Sequence, residues 1–389
     1  MMNGMVNTKI AKINVENTRL PRIKAAISFA SKEVFPLIHL SLHHNARYTN
    51  ENFLNLLSYM ATRHIFAHGG VGDYELETGS RSPKSNTLLY HIRNLKTNQI
   101  MQKFDRANDT IFSIARKNKI LKPKEPVDLA VDLHDVPYYG DKTDKMVVGT
   151  KPTRGTCYAF QFGCVSIVEG GKRFIIHTQP RGHLMTPTDV AMKLIDYAIG
   201  CGFKINRVFL DRGFFGTEMF EFLEMRHLKY IMPAIRRKGR IMKMLVKEND
   251  GKILHHVMTG WSVLTTKRAF KAKTNMKVYV KEINKVVYGF FTNLTDEEIK
   301  KNEVALLYSK RGGIETAFRQ LAHDFRAKTT SKKYPVRLFY FLFSVLLFNL
   351  WILVNAIARF AEKRKNPVVV PARRFGVILV FEGRRSQTA

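Results

Sequence analysis

Three carboxylates stand out by position. Asp132 lies in an alternating apolar stretch, Asp211 closes a short apolar run, and Glu315 follows Tyr308 and Arg311 on a segment of helical pattern. Carboxylate oxygens are hard ligands, and three of them suffice for Mg²⁺ or Mn²⁺, ions that retain several waters. Alternation puts Asp128, Asp132 and His134 on one side of their stretch and Asp135 on the other, so Asp128 stands beside Asp132 as an alternative first ligand. Asp211 precedes Arg212-Gly213, where the chain must turn sharply; its other reading is a turn cap. Seven residues separate Tyr308 from Glu315, about two helical turns, which gives them a common face with Arg311 close by. A helix-surface ion pair of Glu315 with Arg311 or Arg319 is the alternative there.

The elements that must hold these groups can be read from periodicity. Residues 1–121 read as a helical N-terminal region. A helix over 52–66 carries Phe53, Leu56, Leu57 and Met60 on one face, and a break is expected at Gly69, Gly70 and Gly72. A second helix opens after Ser82-Pro83, with Leu88, Leu89, Ile92 and Leu95 inward. Its outer face offers Asn86, Thr87, Tyr90, His91, Arg93 and Lys96, a mix suited to reading a DNA groove, although a solvated helix face looks the same. Residues 122–126 read as a linker. The stretch 122–233 then gives strand, strand, strand, helix, strand, helix, strand: Val127–Leu133, Cys157–Val168, Lys172–Thr178, a helix from Thr186-Pro187, Val208–Leu210, a helix through Phe220 and Leu223, and Tyr230–Met232. This is the order of an RNase H-like α/β fold, a mixed sheet flanked by helices. Residues 234–300 read as a β-rich insertion, 301–362 as further core helices (Tyr308–Arg326 and Pro335–Ala361), and 363–389 as a basic tail.

Composition narrows the partners. Among 389 residues, 64 Lys+Arg face 32 Asp+Glu, a net charge of +32. Such a charge favours a polyanion, nucleic acid first. Cys157, Cys164 and Cys201 form no CxxC pair, which speaks against a zinc ribbon or a disulfide framework and fits a reducing compartment. The first twenty residues contain no long apolar run, so no signal peptide is expected. Leu338–Ala358 is uncharged and long enough to span a bilayer. With Ser344, Asn349 and Asn355 interrupting it, a buried core helix is the expectation, and no membrane partner. Trp261 in the basic insertion is read as a core residue rather than one that stacks on a base.

The blocks AVDLHDVPYYGDK around Asp132, VFLDRGFFGTEMF around Asp211 and YSKRGGIETAFRQL around Glu315 resemble the three signature blocks of DDE transposases from prokaryotic insertion sequences. Tyr308, Arg311 and Glu315 are similar in spacing to the Tyr-Arg-Glu signature of the IS-four group. The resemblance runs from about Val127 to Ala358. It implies metal-dependent cleavage at element ends and strand transfer into a target, with Asp132, Asp211 and Glu315 as catalytic residues holding two Mg²⁺ or Mn²⁺ ions. It implies double-stranded DNA partners (terminal inverted repeats and target DNA), a homodimer in the synaptic complex, and a cytoplasmic, nucleoid-associated location. Arg311 would hold phosphate through its planar fork, and Tyr308 would position the DNA backbone. The family tends to carry a Lys seven residues after the Glu; Ala322 stands there, the nearest cations are Arg319, Arg326 and Lys328, and Arg319 and Arg326 are expected as DNA contacts. This departure leaves a catalytically weak, transposase-derived DNA-binding protein as the alternative.

Overall fold

The computed structural model describes residues 19–234, 250–262, 264, 270–283, 285–361 and 369–382. Among the described residues, five α-helices precede the sheet: α1 (Arg19–Val34), α2 (Asn50–Arg63), α3 (Ala67–Thr78), α4 (Ser85–Arg93) and α5 (Thr97–Lys117). The glycines at 69, 70 and 72 do not break the chain as expected; they lie inside α3. The reason is packing. A Cβ at Gly70 would come within 2.7 Å of the Met60 side chain, so glycine lets α3 close against the end of α2.

Next come β1 (Val127–Pro137), β2 (Val148–Thr153), β3 (Thr156–Ile167), β4 (Ile175–Arg181), α6 (Pro187–Gly200), β5 (Ile205–Phe209), α7 (Thr217–Met225) and β6 (Lys229–Pro233). Strand β2 was not foreseen, since its outer residues are largely exposed and carry no clear alternation. It shares one edge of β3 with β4, pairing with the N-terminal half while β4 takes the C-terminal half. The core order is therefore β4-β3-β1-β5-β6. Strand β3 lies antiparallel between β1 and β4, while β5 and β6 run parallel to β1 through the helical crossovers. This is the RNase H-like mixed sheet expected from the sequence.

The β-rich stretch read as an insertion continues the same sheet. Strand β9 (Val286–Thr292) pairs antiparallel with β6, β8 (Phe270–Ile283) with β9, and β7 (Ile253–Ser262) with β8. The Trp261 side chain lies outside the described residues. Helices α8 (Asp296–Asn302), α9 (Val304–Ser309), α10 (Gly312–Asp324), α11 (Tyr334–Ala361) and α12 (Ala372–Glu382) complete the fold. Within the span read as a basic tail, α12 buries Phe375, Ile378, Leu379 and Val380 and packs on α1 and α2.

Both faces of β1 are covered, so Val127 through Val131 are buried without alternation. Leu133 pairs with Gly163 in β3, where a Cβ would strike Val190 of α6, so this side faces α6. On the other side His134 packs its ring on Phe318 of α10 and Phe341 of α11. Asp132 shares that side by alternation. Helix α11 is the long apolar segment, and 89% of its most apolar window is buried. Its polar interruptions are bonded within the protein. Asn349 accepts from Ile175 N–H at 2.9 Å and donates to Ile175 O and Asn108 Oδ1, both at 2.8 Å. Asn355 accepts from Val370 N–H at 2.6 Å.

Candidate active site

Asp132 projects from the middle of β1 with its side chain 18% exposed. One oxygen accepts from Leu133 N–H at 2.9 Å, and the other pairs with Arg311 Nη2 at 3.0 Å. Burial pushes its pKa up to about 6, against the pull of Arg311 and the Leu133 N–H; the negative charges of Asp211 and Glu315 add to the rise. Asp211 follows β5, and its Oδ1 accepts from Arg212 N–H at 2.7 Å, capping a short 3-10 turn at Arg212–Phe214. The cap and the ligand readings are therefore compatible, because the second oxygen is not used by the turn.

Glu315 sits in the first turn of α10, mostly exposed, and accepts from Arg311 Nη1 at 2.6 Å. Tyr308 and Glu315 are not on one continuous helix, contrary to the expectation for 308–326. The chain turns at Lys310-Arg311 between α9 and α10, ahead of the paired glycines 312 and 313. The turn places the Arg311 guanidinium between Asp132 and Glu315. The nearby Asp132, Tyr308, Asp211 and Glu315 raise the Arg311 pKa although burial alone would lower it. Arg311 is thus engaged with carboxylates here, not free for phosphate, and its Nε is buried without a partner.

Tyr308 is bonded within the protein. Its hydroxyl donates to Leu210 O at 3.2 Å, the carbonyl just before Asp211. Burial raises the Tyr308 pKa, so the phenol stays protonated for this bond.

Asp128 and Asp132 differ in their partners. Asp128 is 2% exposed and accepts two bonds from Arg207, at 2.9 and 2.8 Å, one from Asn206 at 2.8 Å and one from Lys310 at 3.1 Å. Its oxygens are consumed by a buried ion cluster. Asp135 lies on the opposite side and accepts from Gln161 at 2.6 Å. The cluster was missed from sequence. Its only signal was that Asp128 and Arg207 each stand four residues before Asp132 and Asp211, with Lys310 five before Glu315.

The remaining cations are distributed more widely. Arg319 is exposed one turn beyond Glu315. Arg326, past the end of α10, reaches His134 Nε2 at 3.2 Å. Burial pushes the His134 pKa down to about 3, so its ring is neutral and Nε2 accepts. Arg93 and Lys96 are exposed on α4 and at the start of α5, with Asn86 and Tyr90 also exposed. The structure joins neither to the carboxylates by any bond among the described residues.

A β4-β3-β1-β5-β6 core with acids on β1, after β5 and on a helix packed against β1 is the layout expected of an RNase H-like phosphoryl-transfer enzyme. Residues 127–350 match the family model of the transposase DDE domain, more than half of the chain, and the chain belongs to that family. It is a DDE transposase, a DNA-cleaving enzyme, and domains of this family generally use divalent metal ions. No curated protein is significantly similar to it in sequence. In fold it is similar to the piggyBac transposase of a synaptic complex with hairpin DNA, with a TM-score of 0.53, 13% identity, and coverage of 97% of this chain and 83% of that one.

The donors suit such ions in kind. Asp132, Asp211 and Glu315 offer only hard oxygens, and they gather round one positive charge, that of Arg311. Among the described residues, however, no three acidic, imidazole or thiol groups stand at metal-ligand spacing. Arg311 supplies the positive charge that the three carboxylates share here.

Proposed function

We propose that Asp132, Asp211 and Glu315 are the catalytic carboxylates of this transposase and hold two Mg²⁺ or Mn²⁺ ions. The observation that carries this reading is their common focus on the Arg311 guanidinium, from three separate elements. The ions, when bound, activate the attacking oxygen and stabilise the leaving one during in-line displacement at phosphorus. The chain's own residues do the rest. Tyr308 fixes the end of β5 and so the approach of Asp211. Arg311, released from Asp132 and Glu315, has a planar fork that matches a phosphate. Tyr308, Arg311 and Glu315 at this spacing support membership of the IS-four-like group with its Tyr-Arg-Glu signature.

The substrate is double-stranded DNA, at terminal inverted repeats and then at a target. The net charge of +32 and the DNA in the piggyBac complex support this. Exposed Arg93 and Lys96 on the N-terminal helices and Arg319 beside the site are the further DNA contacts. Two copies act in the synaptic complex, and the protein works on the nucleoid in the cytoplasm.

The test is cleavage of a duplex carrying the DNA that flanks the reading frame. Wild-type protein nicks it at one position with Mg²⁺ or Mn²⁺ and not in EDTA, and Asp211→Asn abolishes the product. Equal cutting in EDTA, or by Asp211→Asn, overturns the reading. Salt-sensitive binding to the same ends without a cut under either metal identifies a catalytically inactive DNA-binding derivative instead.

A further inference from the structure

Beyond the far end of β1 from Asp128, the chain encloses a second feature that the carboxylates do not explain. A cavity of about 240 Å³ lies among the end of β1, the α2–α3 junction, the stretch 326–329 and the start of α11. Arg154, Arg326, Lys328 and Arg337 line it, and none of its lining residues is acidic. Arg326 is the deepest of these cations. Burial, with Arg154 and Arg337 nearby, pushes its pKa down to about 10. Its neighbour His134 carries no negative charge to offset it. Burial lowers the Arg337 pKa as well.

An independent observation comes from Tyr340, which also lines the cavity. It is 3% exposed, and its hydroxyl has no hydrogen-bond partner. Buried hydroxyls are nearly always bonded, and buried guanidinium groups are nearly always paired. Here Arg326, Arg337 and the Tyr340 hydroxyl meet one space with no acidic partner lining it, the Arg337 Nε being bonded to Ser331 O at 2.6 Å. The rim is open, since Tyr139, Arg154 and Lys328 are exposed. A tetrahedral oxyanion supplies the acceptors and the charge that this lining lacks.

The position says which anion. The cavity meets β1 at Val136 and Pro137, four and five residues beyond Asp132, roughly 13–17 Å along the strand. That reach is on the order of four or five nucleotides of one duplex strand at about 3.4 Å each. We propose that this cavity binds a backbone phosphate of the DNA a few nucleotides from the phosphate that is cut, through Arg326, Arg337 and the Tyr340 hydroxyl. Its distance from the cut rests on Asp132 being a catalytic carboxylate. The binding itself does not.

The experiment therefore measures binding alone, in EDTA, where no cut occurs. Affinity for a duplex oligonucleotide is followed by fluorescence anisotropy over a salt series. Removing one phosphate contact reduces the slope of log K against log salt by about 0.9. Arg326→Gln and Arg337→Gln are expected to show that reduction. Tyr340→Phe, which removes no charge, weakens binding several-fold at unchanged slope. Circular dichroism confirms folding, and Tyr340→Phe carries the test if either arginine variant fails to fold. A second arm places single neutral methylphosphonates along one strand of the mapped end. One substitution within a few nucleotides of the cut position weakens wild-type binding and has no effect on Arg337→Gln.

An unchanged slope in the arginine variants, or wild-type affinity in Tyr340→Phe, overturns the proposal. Thermal stabilisation of wild type, but not of the variants, by millimolar inorganic phosphate with no change in the DNA slope also overturns it, in favour of a free-phosphate site. A cavity that binds DNA as described in a chain whose Asp211→Asn variant still cuts shows that the carboxylate reading has failed and the cavity has not.

Discussion

Asp128→Asn is the substitution that most directly probes how the carboxylates are held. Asp128 joins β1 to Arg207 of β5 and to Lys310 at the turn before α10, the three elements that carry Asp132, Asp211 and Glu315. The Arg207 pair dominates, with side chains 14% and 2% exposed, and it is bidentate. The Lys310 side chain is 41% exposed, so its share is screened and small. Removing one partner of a buried pair costs about 3–5 kcal/mol because the other charge is left uncompensated. The asparagine carbonyl still accepts one bond, so a loss of about 3 kcal/mol is expected.

The pH dependence has a definite sign. Burial alone would raise the Asp128 pKa, but the bonds and charges of Arg207 and Lys310 outweigh it and hold the carboxyl below its ordinary value. The stabilisation is thus fully present above the unfolded value of about 3.9 and disappears as pH falls through the lower folded one. Urea unfolding of metal-free protein should show a constant gap between wild type and Asp128→Asn from pH 7 to 5, closing below about pH 4. The double variant Asp128→Leu with Arg207→Met should recover much of the loss, since well-packed apolar residues can replace a buried pair. A gap under about 0.5 kcal/mol at pH 7, or one that persists unchanged well below pH 4, refutes the reasoning.

Three further outcomes follow from the same geometry. Asp132 is pushed up to about 6, so its folded state binds the proton more tightly, and its ionised form costs stability above that pH, on the order of 3 kcal/mol. Metal-free Asp132→Asn should therefore be more stable than wild type at pH 7.5 and lose that advantage as pH falls through 6 toward 4; a variant less stable at pH 7.5 would mean that the Arg311 pair outweighs burial. Tyr308→Phe should cost about 1 kcal/mol of stability and slow cleavage with DNA affinity unchanged, whereas a matching drop in affinity would restore Tyr308 as a DNA contact. Asn349→Leu orphans the Ile175 backbone groups and the Asn108 amide, and should cost more than about 2 kcal/mol in urea unfolding; a neutral result would show that α11 does not depend on that bridge.

What could be read from the sequence, and what could not, divides along range of interaction. Strand and helix periods depend on residues a few positions apart, so β1, β3, β4, α6, β5, α7 and β6 were legible, and with them the sheet order. The glycines of α3 misled because their role is contact with Met60, not local flexibility. The sequence also singles out Asp132, Asp211 and Glu315, and the structure brings the charge of all three to bear on Arg311. The partners of Arg311, Tyr308 and Asp128 were not legible, because each comes from another element: Asp132 for Arg311, Leu210 for Tyr308, Arg207 for Asp128. The same reasoning bears on Ala322. A missing cation is a loss only if no other element supplies one, and Arg326 and Arg337 bring two from outside α10 to the cavity at the end of β1. The position of a charge in space, not its place in the helix, decides whether a phosphate can be gripped. The departure at Ala322 is therefore compatible with an active enzyme whose grip on DNA has moved along β1.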